Sequence, residues 1–258
     1  MDRLLAWLGR LLAGYLSKPL RPGAHAATSP REKLAGALEP GDVLLIEGNT
    51  RISVAIKYLT QSTWSHAAIY VGDALGPPPS GEEPKVFIEA DIRQGVRAVP
   101  LGRYSGLHTR ICRPVGLAKE DLRRVVDFAV SRIGEAYDLK NVLDLARYLL
   151  PTPPVPQRWR RRMLALGSGD PTRAICSTLI AQAYNLVRYP ILPEYLPQRS
   201  ADPGAAAEAQ RETLHIRHYS LYAPRDFDIS PYFEIVKPNL VHGFDYRKLR
   251  WEEDPEWG

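Results

Sequence analysis

Cysteine is nearly absent: two residues, Cys112 and Cys176, in a chain of 258. They lie far apart in different settings, which excludes a disulfide framework and the paired spacing of a zinc site. No apolar run is long enough to span a bilayer as a helix. Charge of one sign is also scarce. A net charge of +5 favours anionic surfaces weakly, and no recognition motif accompanies it, so nucleic acid is not an expected partner. There is no internal repeat. What is abundant is punctuation: 23 prolines and 19 glycines imply many loops. The 45% hydrophobic content is that of a globular chain, with length for one large or two small domains.

The first residues stand apart. Leu4, Leu5, Leu8, Leu11, Leu12 and Leu16 share one helical face, with Arg3, Arg10 and Lys18 nearby. Residues 1–16 therefore read as an amphipathic helix, lying on a membrane surface or docked on the body or on another chain. Ala24-His25-Ala26 has the look of a signal-peptide cleavage site. Gly9-Arg10, Lys18 and Arg21 argue against that reading, because they interrupt or charge the segments that should be apolar or neutral. The sequence does not assign a side of the membrane. Residues 17–33 read as a linker, giving an N-terminal helix and linker over 1–33 and a body over 34–258.

Within the body, Pro40-Gly41-Asp42 is a turn feeding the short buried strand Val43-Leu44-Leu45-Ile46. Ile52, Ala55, Ile56 and Leu59 have helical spacing. A strand opens at His66 and ends at Gly72-Asp73. The 74–84 loop contains three consecutive prolines and cannot be regular. Strands follow at Val86–Ala90 and Val96–Leu101, with Gly95 between, and a further one at Arg110–Arg113. Leu122, Val125, Val126, Ala129, Val130 and Ile133 mark an amphipathic helix stopped by Gly134. Asp138 caps a second helix that ends at Pro151. Residues 151–156 are Pro-rich, and 157–162 form a basic patch around Trp159. The patch reads as a solvated face or as a contact for anionic headgroups. The Cys176 helix runs to about Val187. Residues 190–213 form a polar, Pro/Ala-rich excursion, and Phe233–Val236 is strand-like.

Three residues carry chemistry. Cys176 occupies the first turn of an apolar helix, where free backbone N–H groups and the helix dipole favour a thiolate. The bland alternative is a buried, inert thiol, the role expected of Cys112 in its strand. His66 opens an apolar strand, either as a proton carrier or as a hydrogen-bonded structural residue. Glu89 is an acid in the apolar run Val86-Phe87-Ile88-Glu89-Ala90. Burying a carboxylate alone is costly, so Glu89 points outward at an edge or has a partner. If its strand pairs beside the His66 strand, it can hold the second imidazole nitrogen and set the tautomer. Cys and His together are the minimal set for thiol nucleophilic catalysis.

Gly41-Asp42, Trp64-Ser65-His66, Glu89-Ala90, Gly95-Val96, Gly134-Glu135-Ala136-Tyr137-Asp138, Cys176-Ser177 and Pro224-Arg225-Asp226 occur in that order. His precedes Cys, the reverse of papain-type chains. This pattern, over about residues 40–237, resembles the permuted papain-like YiiX/YaeF-type amidases, relatives of the NlpC/P60 superfamily. The resemblance implies an α+β, circularly permuted papain-like fold, with a small antiparallel sheet or half-barrel packed on helices. It implies a cysteine-dependent amidase or related acyltransferase, with Cys176 as nucleophile, His66 as acid–base, Glu89 as third residue and Tyr137 near the oxyanion. Tyr137 read alone is as well a core tyrosine bonding a loop carbonyl. The implied substrates are lipid-linked amides or cell-wall peptides. The chemistry needs no cofactor or metal. The segments near 151–172 and 190–213 are longer than the resemblance leads one to expect. The competing class is a non-catalytic binding or membrane-surface module on the same fold, distinguishable by thiol reactivity.

Overall fold

The structure, a computed structural model, describes residues 29–91, 94–135, 175–196, 213–215 and 222–241, with isolated positions at 14, 15, 18, 27, 218, 219, 245 and 247. The expectations on residues 1–13, the 138–151 helix, Tyr137, the 157–162 patch and residues 197–212 lie outside the described residues.

The described strands are β1 (Val43–Ile46), β2 (His66–Tyr70), β3 (Lys85–Asp91), β4 (Gly95–Pro100), β5 (Thr109–Pro114), β6 (Glu194–Leu196), β7 (Thr213–His215) and β8 (Phe233–Val236). Six of them form an antiparallel sheet in the order β4-β3-β2-β1-β5-β8, while β6 and β7 pair separately. The helices are α1 (Arg31–Ala37), α2 (Arg51–Thr60), α3 (Lys119–Ser131), α4 (Ile175–Leu186), α5 (Pro224–Asp228) and α6 (Pro238–Val241).

The run Val43-Leu44-Leu45-Ile46 is apolar at every position because β1 lies in the middle of a sheet covered on both faces. Alternation sends Val43 and Leu45 to one face and Leu44 and Ile46 to the other. On the first face they meet α3 through Val125, Val126 and Ala129, and α4 through Leu179, Ile180, Ala183 and Tyr184. On the second they meet Leu34 and Ala37 of α1, together with Leu101 and Tyr104. Each fully buried Val, Leu or Ile contributes roughly 1.5–3 kcal/mol.

A buried ion pair ties the start of β1 to β5. Asp42 is fully buried and accepts from Arg113 Nε at 2.9 Å and Nη2 at 2.8 Å, and from the Glu39 N–H at 2.8 Å. The turn before it requires glycine. Gly41 has φ +90°, and a Cβ there would stand 2.5 Å from a Leu122 methyl. The buried Tyr184 hydroxyl of α4 donates to the Gly41 carbonyl.

Three sequence expectations change. Residues 31–33, read as linker, open helix α1, because Leu34 and Ala37 find an apolar face to bury. Leu101, read as the end of a strand, starts a 3-10 turn over Leu101–Tyr104 after Pro100. The 190–213 stretch is polar by composition, yet Ile191 is buried in the core and the stretch contributes β6.

Candidate active site

The two residues before His66 are anchored. Trp64 is buried, and its indole Nε1–H donates to Asp228 Oδ2 at 3.0 Å. The Ser65 hydroxyl accepts the Gly48 N–H at 2.9 Å, and the Ser65 N–H donates to the Ile46 carbonyl at 3.1 Å. His66 then begins β2 opposite Ile46 of β1. Its imidazole is 25% exposed, at the rim of the sheet.

Strand β3 pairs beside β2 and is itself covered by β4, so Glu89 is an interior residue with 1% exposure. The outward-edge alternative is thereby overturned. Glu89 Oε2 lies 2.6 Å from His66 Nε2 and accepts from the Tyr104 hydroxyl at 2.8 Å. Its other oxygen, Oε1, accepts from Arg97 Nε at 2.9 Å and Nη2 at 2.6 Å, and lies 2.9 Å from Arg103 Nε. Burial pushes this carboxyl up, but the His66 contact, the arginine charges and the Tyr104 hydroxyl together hold it well below its ordinary 4.5.

Cys176 sits in the first turn of α4, which packs against β2 and β3. The thiol hydrogen-bonds to the His66 side chain, and the Ala67 and Ser177 backbone N–H groups point at the sulfur. With Nε2 engaged by Glu89, the ring nitrogen that serves the thiol is Nδ1. Burial raises a thiol pKa, yet the His66 charge, its hydrogen bond and the two N–H groups lower that of Cys176. For His66, burial pulls the pKa down. The Cys176 sulfur and the Glu89 carboxylate outweigh it and lift the imidazole to about 10. Each partner thus favours the charged form of the other. Cys112 is the opposite case: fully buried in β5, its thiol is pushed far up by burial.

The structure thus brings Cys176, His66 and Glu89 together and leaves Tyr137 outside the described residues. It does describe the approach to Tyr137. Past α3, Gly134 donates to the Val96 carbonyl at 2.9 Å and Val96 donates to the Glu135 carbonyl at 3.0 Å, which lays this turn along β4. Tyr104, Arg97 and Arg103 surround Glu89 without having been marked in the sequence. The available signal was a charged residue on each of β4 and the turn after it, at positions that read as solvent-facing. Among the described residues, no group of three or more His, Cys, Asp or Glu side chains converges as a metal would require, and no helix is long and apolar enough to cross a membrane.

No curated protein matches the chain. Among solved structures, the chain is similar to the crystal structure of metalloprotein yiiX from Escherichia coli O157:H7. The identity is 18%, with 78% of this chain and 97% of that one covered and a TM-score of 0.45. The resemblance read from the sequence is found again at the level of the family. Residues 37–148, a stretch that contains His66 and Glu89 and stops short of Cys176, match the family of permuted papain-like amidase enzymes, YaeF/YiiX, C92.

Proposed function

We propose that the protein is a cysteine-dependent amidase that works through an acyl-enzyme. The family match over residues 37–148 supports a hydrolase role. The observation that carries the finer reading is the continuous contact from Cys176 through His66 to Glu89. A binding module has no use for a thiol whose pKa is lowered by a neighbouring histidine.

In this reading the Cys176 sulfur attacks the amide carbonyl carbon. The C–S bond forms as the carbonyl π electrons move to oxygen. The oxyanion rests on the Cys176 backbone N–H and its neighbours at the start of α4, groups that an α-helix leaves unpaired. Collapse breaks the C–N bond, and the His66 imidazolium gives its proton to the leaving amine. Neutral His66 then takes a proton from water, which attacks the thioester, and the acid departs as thiolate and imidazolium re-form. Glu89 stabilises the imidazolium and fixes the ring so that Nδ1 faces the sulfur.

The substrates we propose are lipid-linked amides or cell-wall peptides, with residues 1–16 supplying peripheral membrane contact. The Leu face of that segment supports the lipid choice, since each buried methylene adds roughly 0.8 kcal/mol of binding. A series of N-acyl amino acids of rising chain length, assayed beside a cell-wall-type peptide, tests it. Rising kcat/KM with chain length is expected. Efficient peptide cleavage without chain-length dependence would leave a cell-wall endopeptidase. No cleavage of any amide, with Cys176 remaining unmodified after acid quench, would sink the amidase reading.

A further inference from the structure

A cleft of about 260 Å³ opens at the same end of the sheet as His66. Among the described residues its walls include Trp64, His108, Arg110, Arg225 and Asp228. Its charges are unevenly matched. Asp228 uses both oxygens, Oδ1 at 2.5 Å from Arg110 Nη1 and Oδ2 on the Trp64 indole. The Arg110 guanidinium also lies over the Trp64 ring, 5.0 Å from its centroid. His108 Nδ1 is 2.9 Å from Glu47 Oε2, and the other Glu47 oxygen takes Lys57 Nζ at 3.0 Å. Arg225 differs. Its hydrogen bond among the described residues goes from Nη1 to the neutral Thr60 carbonyl at 3.1 Å, and no carboxylate there pairs with it. A guanidinium carries five N–H donors in a planar fork that suits a carboxylate.

The strand register relates one wall of this cleft to the thiol. Arg110 pairs across with Leu45, and Leu45 with Ala67, so the three form one row on one face of the sheet. Ala67 is the residue whose N–H reaches the Cys176 sulfur. Two strand spacings, about 10 Å, separate the ends of the row. Arg110, which lines the cleft, thus stands about three extended residues' length from the strand position whose N–H contacts the sulfur.

We propose that this cleft is a subsite for a carboxylate on the substrate, held by Arg225 on a floor made by Trp64 and Arg110. The inference rests on Cys176 being the nucleophile, and it narrows the substrate to amides with a free acid. Among the described residues no carboxylate pairs with Arg225, and a substrate carboxylate would supply charge-assisted hydrogen bonds that a neutral amide does not.

The test uses affinity alkylation of the full chain, which needs no known substrate. N-iodoacetyl ω-amino acids of graded spacer length are compared with their carboxamides, and modification of Cys176 is followed by peptide mass spectrometry. The expected result is a carboxylate-over-carboxamide rate ratio of at least about tenfold, peaking at one spacer length. The ratio should fall below about threefold in Arg225→Gln and be partly retained in Arg225→Lys. Taking the ratio within each protein cancels changes in thiol reactivity. A wild-type ratio near one at every spacer length overturns the subsite even if the variants fail to fold, as does a ratio that survives Arg225→Gln. Absence of Cys176 alkylation by any reagent, iodoacetamide included, overturns instead the nucleophile on which the subsite rests.

Discussion

Glu89 and His66 meet at 2.6 Å, carboxylate oxygen to imidazole Nε2, across two adjacent antiparallel strands with the carboxylate buried to 1% exposure. The contact makes a histidine at a strand end into one ring orientation with one nitrogen free for a thiol. Glu89→Gln keeps the shape and removes the charge. We expect kcat to fall by about 10²–10⁴-fold with a much smaller change in KM, read by steady-state kinetics on any amide the enzyme turns over. The same substitution has a pH signature in stability. The Glu89 carboxyl is depressed in the folded protein from an ordinary 4.5, so its stabilisation is present above 4.5 and lost as pH falls through the folded value. Urea denaturation should show the gap between wild type and Glu89→Gln narrowing progressively below that pH.

Tyr104 donates to the Glu89 oxygen that also holds His66, and its ring packs edge-on against Phe87 with centroids 5.3 Å apart. Tyr104→Phe preserves the ring and removes the donor. The expected cost is about 1.5–3 kcal/mol of stability, the range for hydrogen bonds to charged groups. The midpoint of urea unfolding checks it.

Asp42 and Arg113 form a structural counterpart on the other side of β1. Removing the cation with Arg113→Ala leaves a fully buried carboxyl without its bidentate partner. Burial already raises the Asp42 pKa despite Arg113. We expect a loss of about 3–5 kcal/mol in urea unfolding. The rate of Cys176 alkylation per folded molecule should stay at the wild-type value, because Arg113 touches nothing in the site.

The strands at 43–46 and 66–70 are legible in the sequence as short apolar runs bounded by turn residues, and the helices around Val125 and Ile180 by the helical spacing of their apolar residues. Glu89 is only half legible. An acid in an apolar strand must have a partner or face water, and which holds depends on the pairing of β2 with β3, a tertiary fact. Tyr104 gives no local signal, since it reaches Glu89 from a turn that follows β4. Arg97 and Arg103 read as solvated charges until the buried carboxylate between them is located. Arg225 is visible in the sequence as part of Pro224-Arg225-Asp226, but its hydrogen bond to the Thr60 carbonyl is a property of the packed helix α5. Ile191 is hidden by the proline- and alanine-rich composition of the residues around it.

The two thiols should behave as different chemical groups. Cys112 is sealed in β5 with its thiol pushed up by burial, and the Cys176 thiol is lowered by the His66 charge. Brief iodoacetamide treatment near neutral pH should modify Cys176 and leave Cys112 intact until the protein is unfolded. Peptide mapping reads this directly. Equal modification of both in the folded protein would remove the distinction.

The central claim is that His66 keeps Cys176 ionised, and the pH dependence of Cys176 alkylation in wild type and in His66→Ala measures it without a substrate. In wild type the imidazolium persists up to about 10, so the rate should rise to its plateau at a pH well below the ordinary thiol value of 9. In His66→Ala the charge is gone and burial dominates, so the midpoint should move to 9 or above. Coincident midpoints in the two proteins would contradict the account.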